Sequence, residues 1–220
     1  MNPRDIIARR AALELSDGEV VNLGYGIPTN VANFIPEGME IIFHGENGLF
    51  FLGPRPEYIK TDSDCTNAGG EPVTILTGGS FFPLSTSFGA MRRGYLDTTI
   101  LGALEVDQEG SLSNWATPKG GQWWPGMGGA MDLVYGTKKV IATLMHTDKN
   151  GNSKIKKETT LPKTGIRCLK TIITEKAVFD VKNGRLLLRE AYPGVSIEDI
   201  RAITEADFDV AEDFQEMRFA

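Results

Sequence analysis

The stretch Glu19-Val-Val-Asn-Leu-Gly-Tyr-Gly-Ile-Pro-Thr29, followed by Glu40-Ile-Ile-Phe43 and then Gly45-Glu-Asn-Gly48, decides the fold. Residues 19–23 read as a buried strand that runs into Gly24-Tyr-Gly26-Ile-Pro28. Thr29 is suited to cap a short helix through Phe34, which Pro36 and Gly38 stop. Residues 40–43 form the next expected strand, and a glycine-rich segment over 45–53 follows at once. Strand, loop, helix and strand in that order predict a parallel α/β arrangement.

Upstream, Asn2 caps an opening helix, Pro3 suits its first turn, and Ile6, Ile7, Ala11 and Leu13 form its apolar stripe. Arg9, Arg10 and Glu14 take the wet face, and Asp17-Gly18 ends the element. Downstream, residues 73–76, 98–104, 139–145 and 171–174 predict strands, with a helix over 85–93 that ends at Gly94. Asn183-Gly184 between residues 178–181 and 185–188 is a two-residue hairpin signal, which makes the later part of the sheet mixed or antiparallel. Ser196 caps a last helix through Ile203, whose acidic start suits the helix dipole. From about residue 205 a run of acids reads as a solvated face. No repeat or linker divides the chain, so residues 1–220 are expected to form one α/β domain.

Composition narrows the function classes. Among 220 residues, 23 Lys+Arg stand against 29 Asp+Glu, and a net charge of −6 argues against a basic nucleic-acid-binding face. Cys65 and Cys168 are too few for a disulfide framework and too isolated for a zinc site. No apolar stretch reaches the length of a membrane span, and the charged start is no signal peptide, so a cytoplasmic chain is expected. The 25 glycines bunch at 24–26, 45–53, 69–70, 78–79, 120–121 and 126–129, which predicts several ligand-facing loops on one scaffold.

The chain has no P-loop, no third glycine after Gly24-Tyr-Gly26 to complete a dinucleotide fingerprint, and no Gly-x-Ser-x-Gly elbow. His44 and His146 are far apart and read as structural histidines at strand ends, although His44 borders the glycine segment. What remains is Gly45-Glu46-Asn47-Gly48, a glycine-flanked carboxylate at the end of a strand, where open α/β sheets hold ligands. Such a carboxylate can serve as base, metal ligand or acyl-accepting nucleophile; the plain alternative is a loop residue beside an Asn-Gly turn. The second stretch is Trp123-Trp-Pro-Gly-Met-Gly-Gly-Ala-Met-Asp132. Its N–H groups, opening a helix, can stabilise an oxyanion, or the glycines can serve close backbone packing alone.

Taken in order, Val21-Asn-Leu-Gly-Tyr-Gly-Ile-Pro-Thr29, Glu46-Asn-Gly48, Asn67-Ala-Gly69, Leu101-Gly-Ala103, Ser113-Asn-Trp115 and Gly126-Met-Gly-Gly-Ala-Met-Asp-Leu-Val134 resemble the β subunit of the class I CoA-transferases. That group includes the 3-oxoacid, acetate/butyrate–acetoacetate and 3-oxoadipate enzymes. The resemblance implies an open, mixed, mostly parallel sheet flanked by helices, and an obligate α subunit in an α2β2 heterotetramer. It implies Glu46 as the nucleophile that carries first the acyl group and then CoA, and Gly129 as one N–H donor to the oxyanion. Asn22, Gly24, Gly26, Asn47, Gly48 and Gly128 are implied on the substrate and CoA side. CoA enters as a substrate, with no metal and no further cofactor expected.

The chain departs from the family pattern beside the implied pocket. Gly45 stands where members commonly have Ser, and Tyr25 where many have an aliphatic residue. Leu49-Phe-Phe-Leu-Gly-Pro54 replaces a shorter Leu-Gly-x-Gly-Pro run, and residues 117–124 differ from the usual Pro-Gly-Lys region. These changes bear on which acid is used, and Arg55 and Arg92 are basic residues that could face a dicarboxylate or simply lie in solvent. Two other functions fit the same scaffold: acyl-CoA hydrolysis, or a non-catalytic CoA-binding role.

Overall fold

The computed structural model describes residues 1–67 and 69–220, with Trp124 and Pro125 described by backbone alone. Helix α1 (Pro3–Ala12) starts as the sequence predicts, with the Asn2 side chain accepting from the Arg4 N–H. Strands β1 (Val20–Leu23), β2 (Ile42–Gly45), β3 (Leu49–Leu52) and β4 (Ile75–Phe81) follow, then α2 (Leu84–Arg92) and β5 (Thr98–Gly102). Short strands β6 (Glu105–Asp107), β7 (Leu112–Ser113), β8 (Ala116–Lys119) and β9 (Gln122–Pro125) precede α3 (Ala130–Gly136). The chain continues through β10 (Lys139–Thr143), β11 (Ile155–Lys156), β12 (Thr171–Ile173), β13 (Ala177–Lys182) and β14 (Arg185–Ala191). It closes with α4 (Ile197–Ile203) and β15 (Phe208–Glu216).

Ten strands make one sheet in the order β15-β14-β13-β12-β10-β5-β1-β2-β3-β4. Its centre, β2-β1-β5-β10-β12, is all parallel. Antiparallel pairs lie on either side: β2–β3 and β3–β4 at one flank, β12–β13 and β13–β14 at the other. The central strands are apolar on both faces because both are covered. Ile100, Ile141 and Ile173 join Ile6, Ile7 and Val31 in a core under α1, while Leu101, Val140, Ala142 and Ile172 join Met91, Leu133 and Ile200 under α2, α3 and α4. Among the described residues, no helix is long and apolar enough to cross a membrane.

Several local expectations are corrected. Residues 28–34 form a 3-10 turn that begins at Pro28, and the Thr29 hydroxyl donates back to the Gly26 carbonyl at 2.7 Å rather than capping the helix. The second strand runs two residues later than expected and ends at Gly45, so His44 lies inside it. The glycine-rich segment 45–53 is not an open loop but a hairpin, because 49–52 pair with both β2 and β4. The strand expected over 73–76 is displaced to β4, and that over 98–104 divides into β5 and β6. The acidic tail is strand β15, parallel to β14; its acids occupy exposed positions while Phe208 and Ala211 face the core. The tail's charges disguise a half-buried edge strand.

Candidate active site

Glu46 is the first residue beyond β2, at the C-terminal end of the parallel strands, where open sheets leave a crevice. The turn that presents it is tight: the Gly48 N–H donates to the Gly45 carbonyl at 3.0 Å, and the Phe82 N–H to the Gly48 carbonyl at 3.0 Å. Gly48 has φ +110°, and a Cβ there would collide with the Phe82 carbonyl oxygen, so this position requires glycine.

Across the crevice the β9–α3 connection supplies a second wall. A Cβ at Gly129 would lie only 2.5 Å from Glu46 Oε2, and one at Gly128 3.6 Å from Oε1. The carboxylate therefore rests directly on bare backbone, and the Gly129 N–H donates to it. Burial raises the Glu46 pKa above its ordinary value and the Asp132 charge adds to the rise, while the Gly129 N–H partly offsets both. The group is poorly solvated and more basic than an ordinary surface glutamate. Glu46, Asn22, Gly24, Gly128, Gly129 and Asn114 line a cleft of about 230 Å³.

Other candidates have different settings. Asn22 is buried beneath the cleft, its amide donating to the His44 carbonyl at 3.2 Å. Gly24 lets β1 approach β5: its N–H donates to the Ile100 carbonyl at 2.9 Å, and a Cβ would meet Leu101 Cδ2 at 3.1 Å. Gly26, at φ +94°, shapes the turn after β1. Asn47 is exposed and donates to the Thr66 carbonyl at 3.1 Å, away from Glu46. Gly26, Asn47 and Gly48 are not part of the cleft wall. The Asn67-Ala-Gly69 stretch includes Ala68, which lies outside the described residues.

Three further side chains join the site, and of these Phe88 alone lies outside the residues and stretches singled out in the sequence as site candidates. Phe88 on α2 would touch a Cβ at Gly129 at 3.2 Å, so this ring packs against Gly129 beside the Glu46 carboxylate. Asp132 on α3 is held by Arg92 at 2.6 Å, and the Arg92 guanidinium lies 5.8 Å from the Phe88 ring centre. Arg92 is thus engaged by a carboxylate of its own chain, and Arg55 lines a different hollow. His146 uses both ring nitrogens, with Thr174 at 3.0 Å and Thr204 at 2.9 Å, and burial lowers its pKa to about 4.

The site thus consists of a partly buried carboxylate on a glycine turn, at the C-terminal end of the parallel strands and against bare backbone N–H, the parts that acyl transfer through a carboxylate requires. Residues 4–202 match the family model of the coenzyme A transferases, and the chain belongs to that family. It is 50% identical to the beta subunit of the acetate CoA-transferase of Haemophilus influenzae, over 100% of this chain and 97% of that protein. It is 46% identical to one subunit of a probable succinyl-CoA:3-ketoacid coenzyme A transferase of Bacillus subtilis, over 95% and 96% respectively. The fold is similar to that of an acyl-CoA transferase (YdiF) apoenzyme from Escherichia coli O157:H7, with TM-score 0.77 and 25% identity. That match covers 99% of this chain and 43% of the other, so the chain spans less than half of that enzyme's polypeptide.

Proposed function

We propose that the chain is the catalytic β subunit of a CoA-transferase that moves CoA between a short-chain acyl-CoA and a carboxylic acid through a thioester on Glu46. The observation that carries this reading is the Glu46 carboxylate, resting on the Gly128–Gly129 backbone in a small cleft. One Glu46 oxygen attacks the thioester carbonyl, the oxyanion forms near the Gly129 N–H, and CoA leaves as thiolate. The resulting mixed anhydride is attacked at the Glu46 carbonyl by that thiolate, which releases the first acid as carboxylate and leaves glutamyl-CoA. An incoming carboxylate reverses the sequence and carries CoA away.

The residue types suit these steps. Partial burial leaves Glu46 a stronger nucleophile than a solvated carboxylate. A cleft of about 230 Å³ suits a short acyl group and leaves the CoA body outside it, free to supply remote binding energy. Acetoacetate, butyrate, acetate, succinate and 3-oxoadipate are the acids to assay, and the names of the two relatives support acetate and 3-ketoacids. The second oxyanion donor, and the wall that keeps water from the anhydride, are assigned to an α subunit in an α2β2 assembly. Exposed Tyr25, Phe81, Leu84, Met131 and Tyr135 sit on segments adjoining the Glu46 turn and Gly129, which supports a partner covering this side.

The test is to incubate the complex of this chain and its partner with acetoacetyl-CoA and map the modified peptide by mass spectrometry. A CoA adduct on Glu46 is expected; an adduct elsewhere, or intact turnover by Glu46→Ala, overturns the assignment. Assayed alone, the chain lacks one oxyanion donor, a loss of about 10² to 10³ in rate. Full turnover without a partner would remove the case for the α subunit.

A further inference from the structure

Beneath the Glu46 turn runs a buried line of polar side chains: Thr99 on β5, Asn22 on β1, His44 on β2 and Ser87 on α2, none more than 3% exposed. The Thr99 hydroxyl donates to Asn22 Oδ1 at 3.3 Å, which turns the amide nitrogen toward His44. That nitrogen donates to the His44 carbonyl at 3.2 Å and faces the ring Nδ1 at 3.4 Å. An amide nitrogen only donates, so Nδ1 accepts and the ring proton sits on Nε2. Nε2–H then donates to Ser87 Oγ at 2.9 Å. Burial pushes the His44 pKa down to about 4, so the ring is neutral across the physiological range. The rings of Phe50 and Phe82 flank it, with centres 5.1 and 6.4 Å away, and hold its plane.

The two ends of this line matter for the chemistry. Asn22 holds the backbone of β2 two residues before Glu46. Ser87 precedes Phe88, the ring that packs against Gly129. Helix α2 also packs closely on α3, where a Cβ at Gly136 would overlap the Met91 carbonyl. His44 therefore links, by its two ring nitrogens, the nucleophile's half of the sheet and the helix behind the oxyanion donor.

We propose that His44 is a positioning residue of the transfer reaction: through Asn22 and Ser87 it fixes the strand that ends in Glu46 against the helix that sets the Gly129 N–H. This rests on Glu46 being the nucleophile. A shift of about 1 Å between nucleophile and donor is enough to cost on the order of 10²-fold in rate, an effect read in kcat more than in KM.

The experiment uses the complex of this chain with its partner. His44→Phe keeps the aromatic packing and removes both nitrogens; kcat is expected to fall about 10- to 100-fold with KM for the acyl-CoA within about twofold. Ser87→Ala should cost a similar factor, and the double variant no more than the worse single one, because both break the same link. His44→Gln, which can still donate to Ser87, should recover most of the rate, and it keeps the question answerable if the Phe variant does not fold. Nitrogen-15 spectra of the imidazole should report the Nε2–H tautomer at neutral pH. An Nδ1–H or protonated ring, additive losses, or unchanged kcat in both His44 variants overturns the proposal. Mapping the CoA adduct of the unmodified complex in parallel separates the two readings: an adduct away from Glu46 fails the nucleophile, while an adduct on Glu46 with unchanged kcat in the variants fails His44.

Discussion

The parallel core carries a hairpin on each side: β2–β3, whose turn presents Glu46, and β13–β14, whose turn is Asn183-Gly184. At the second, both turn residues take positive φ, 53° and 72°, and pairing begins at once with Lys182 opposite Arg185. A Cβ on Gly184 would meet nothing within 4 Å. This is the mirror-type turn that matches strand twist, and it does no more than join two strands. The first hairpin has only two paired positions, and the adjoining β3–β4 ladder slips at Phe51, a non-glycine residue at φ 60°. Its turn glycine touches the Phe82 carbonyl, and its carboxylate is half-buried against a second glycine pair. The turn that only connects is open and regular; the turn that carries Glu46 is crowded, with a strained non-glycine residue next to it.

The largest test of that contrast is kinetic. In the complex, Glu46→Gln should lower kcat by about 10³-fold or more, because an amide cannot form the anhydride, without loss of folded protein. Asn183→Ala on the other hairpin should leave turnover within about twofold. Gly129→Ala comes next: its Cβ would lie 2.5 Å from Glu46 Oε2 and 3.2 Å from Phe88 Cζ, so the carboxylate must leave its donor. A fall of about 10²-fold in kcat is expected. Unchanged turnover in Gly129→Ala would show that the contact does not hold the nucleophile.

Stability divides the same two turns. Gly48→Ala meets a left-handed backbone angle and a fixed carbonyl together, so a loss of about 3 kcal/mol or more is expected in urea unfolding. Gly184→Ala meets the angle alone and should cost about 1–2 kcal/mol. Equal losses would mean that the Phe82 contact yields readily and that the first turn is no more constrained than the second.

The second hairpin was legible in the sequence, since Asn-Gly there directly joins two apolar runs of strand length. The first drew the eye to Glu46 in the sequence and was misleading as structure. Glycines at 45, 48 and 53 suggested an open loop, yet Leu49-Phe-Phe-Leu52 pairs on both edges, a non-local outcome that local glycine content conceals. Gly129 and Glu46 could be named from an ordered set of motifs, but their contact depends on two segments more than eighty residues apart. Phe88, Ser87 and His44 carry no motif at all; their parts follow from which helix face meets which strand end. The acids after residue 205 do form a solvated face, but charge alone does not reveal that they line the exposed side of an edge strand.

The smallest effect concerns charge. Burial, helped by Asp132, raises the Glu46 pKa in the folded protein above its ordinary value. The folded state therefore holds that proton more tightly than the unfolded chain does. The associated stability is fully present below the ordinary carboxylate pKa and is lost as pH rises through the raised one. Above it, folding must keep a charge where solvation is poor. Glu46→Gln removes that penalty and resembles the protonated form at every pH, so the variant should melt above the natural protein at neutral pH, with the gap narrowing as the pH falls into the carboxylate range. The acid limb of kcat/KM in the natural complex should likewise lie above the ordinary glutamate value, because Glu46 must be ionised to attack. A gap that widens toward acid, or an acid limb below the ordinary value, would mean that hydrogen bonds to the carboxylate outweigh its desolvation. The Glu46 turn would then stabilise its charge in the manner of a capping residue rather than hold it poised for attack.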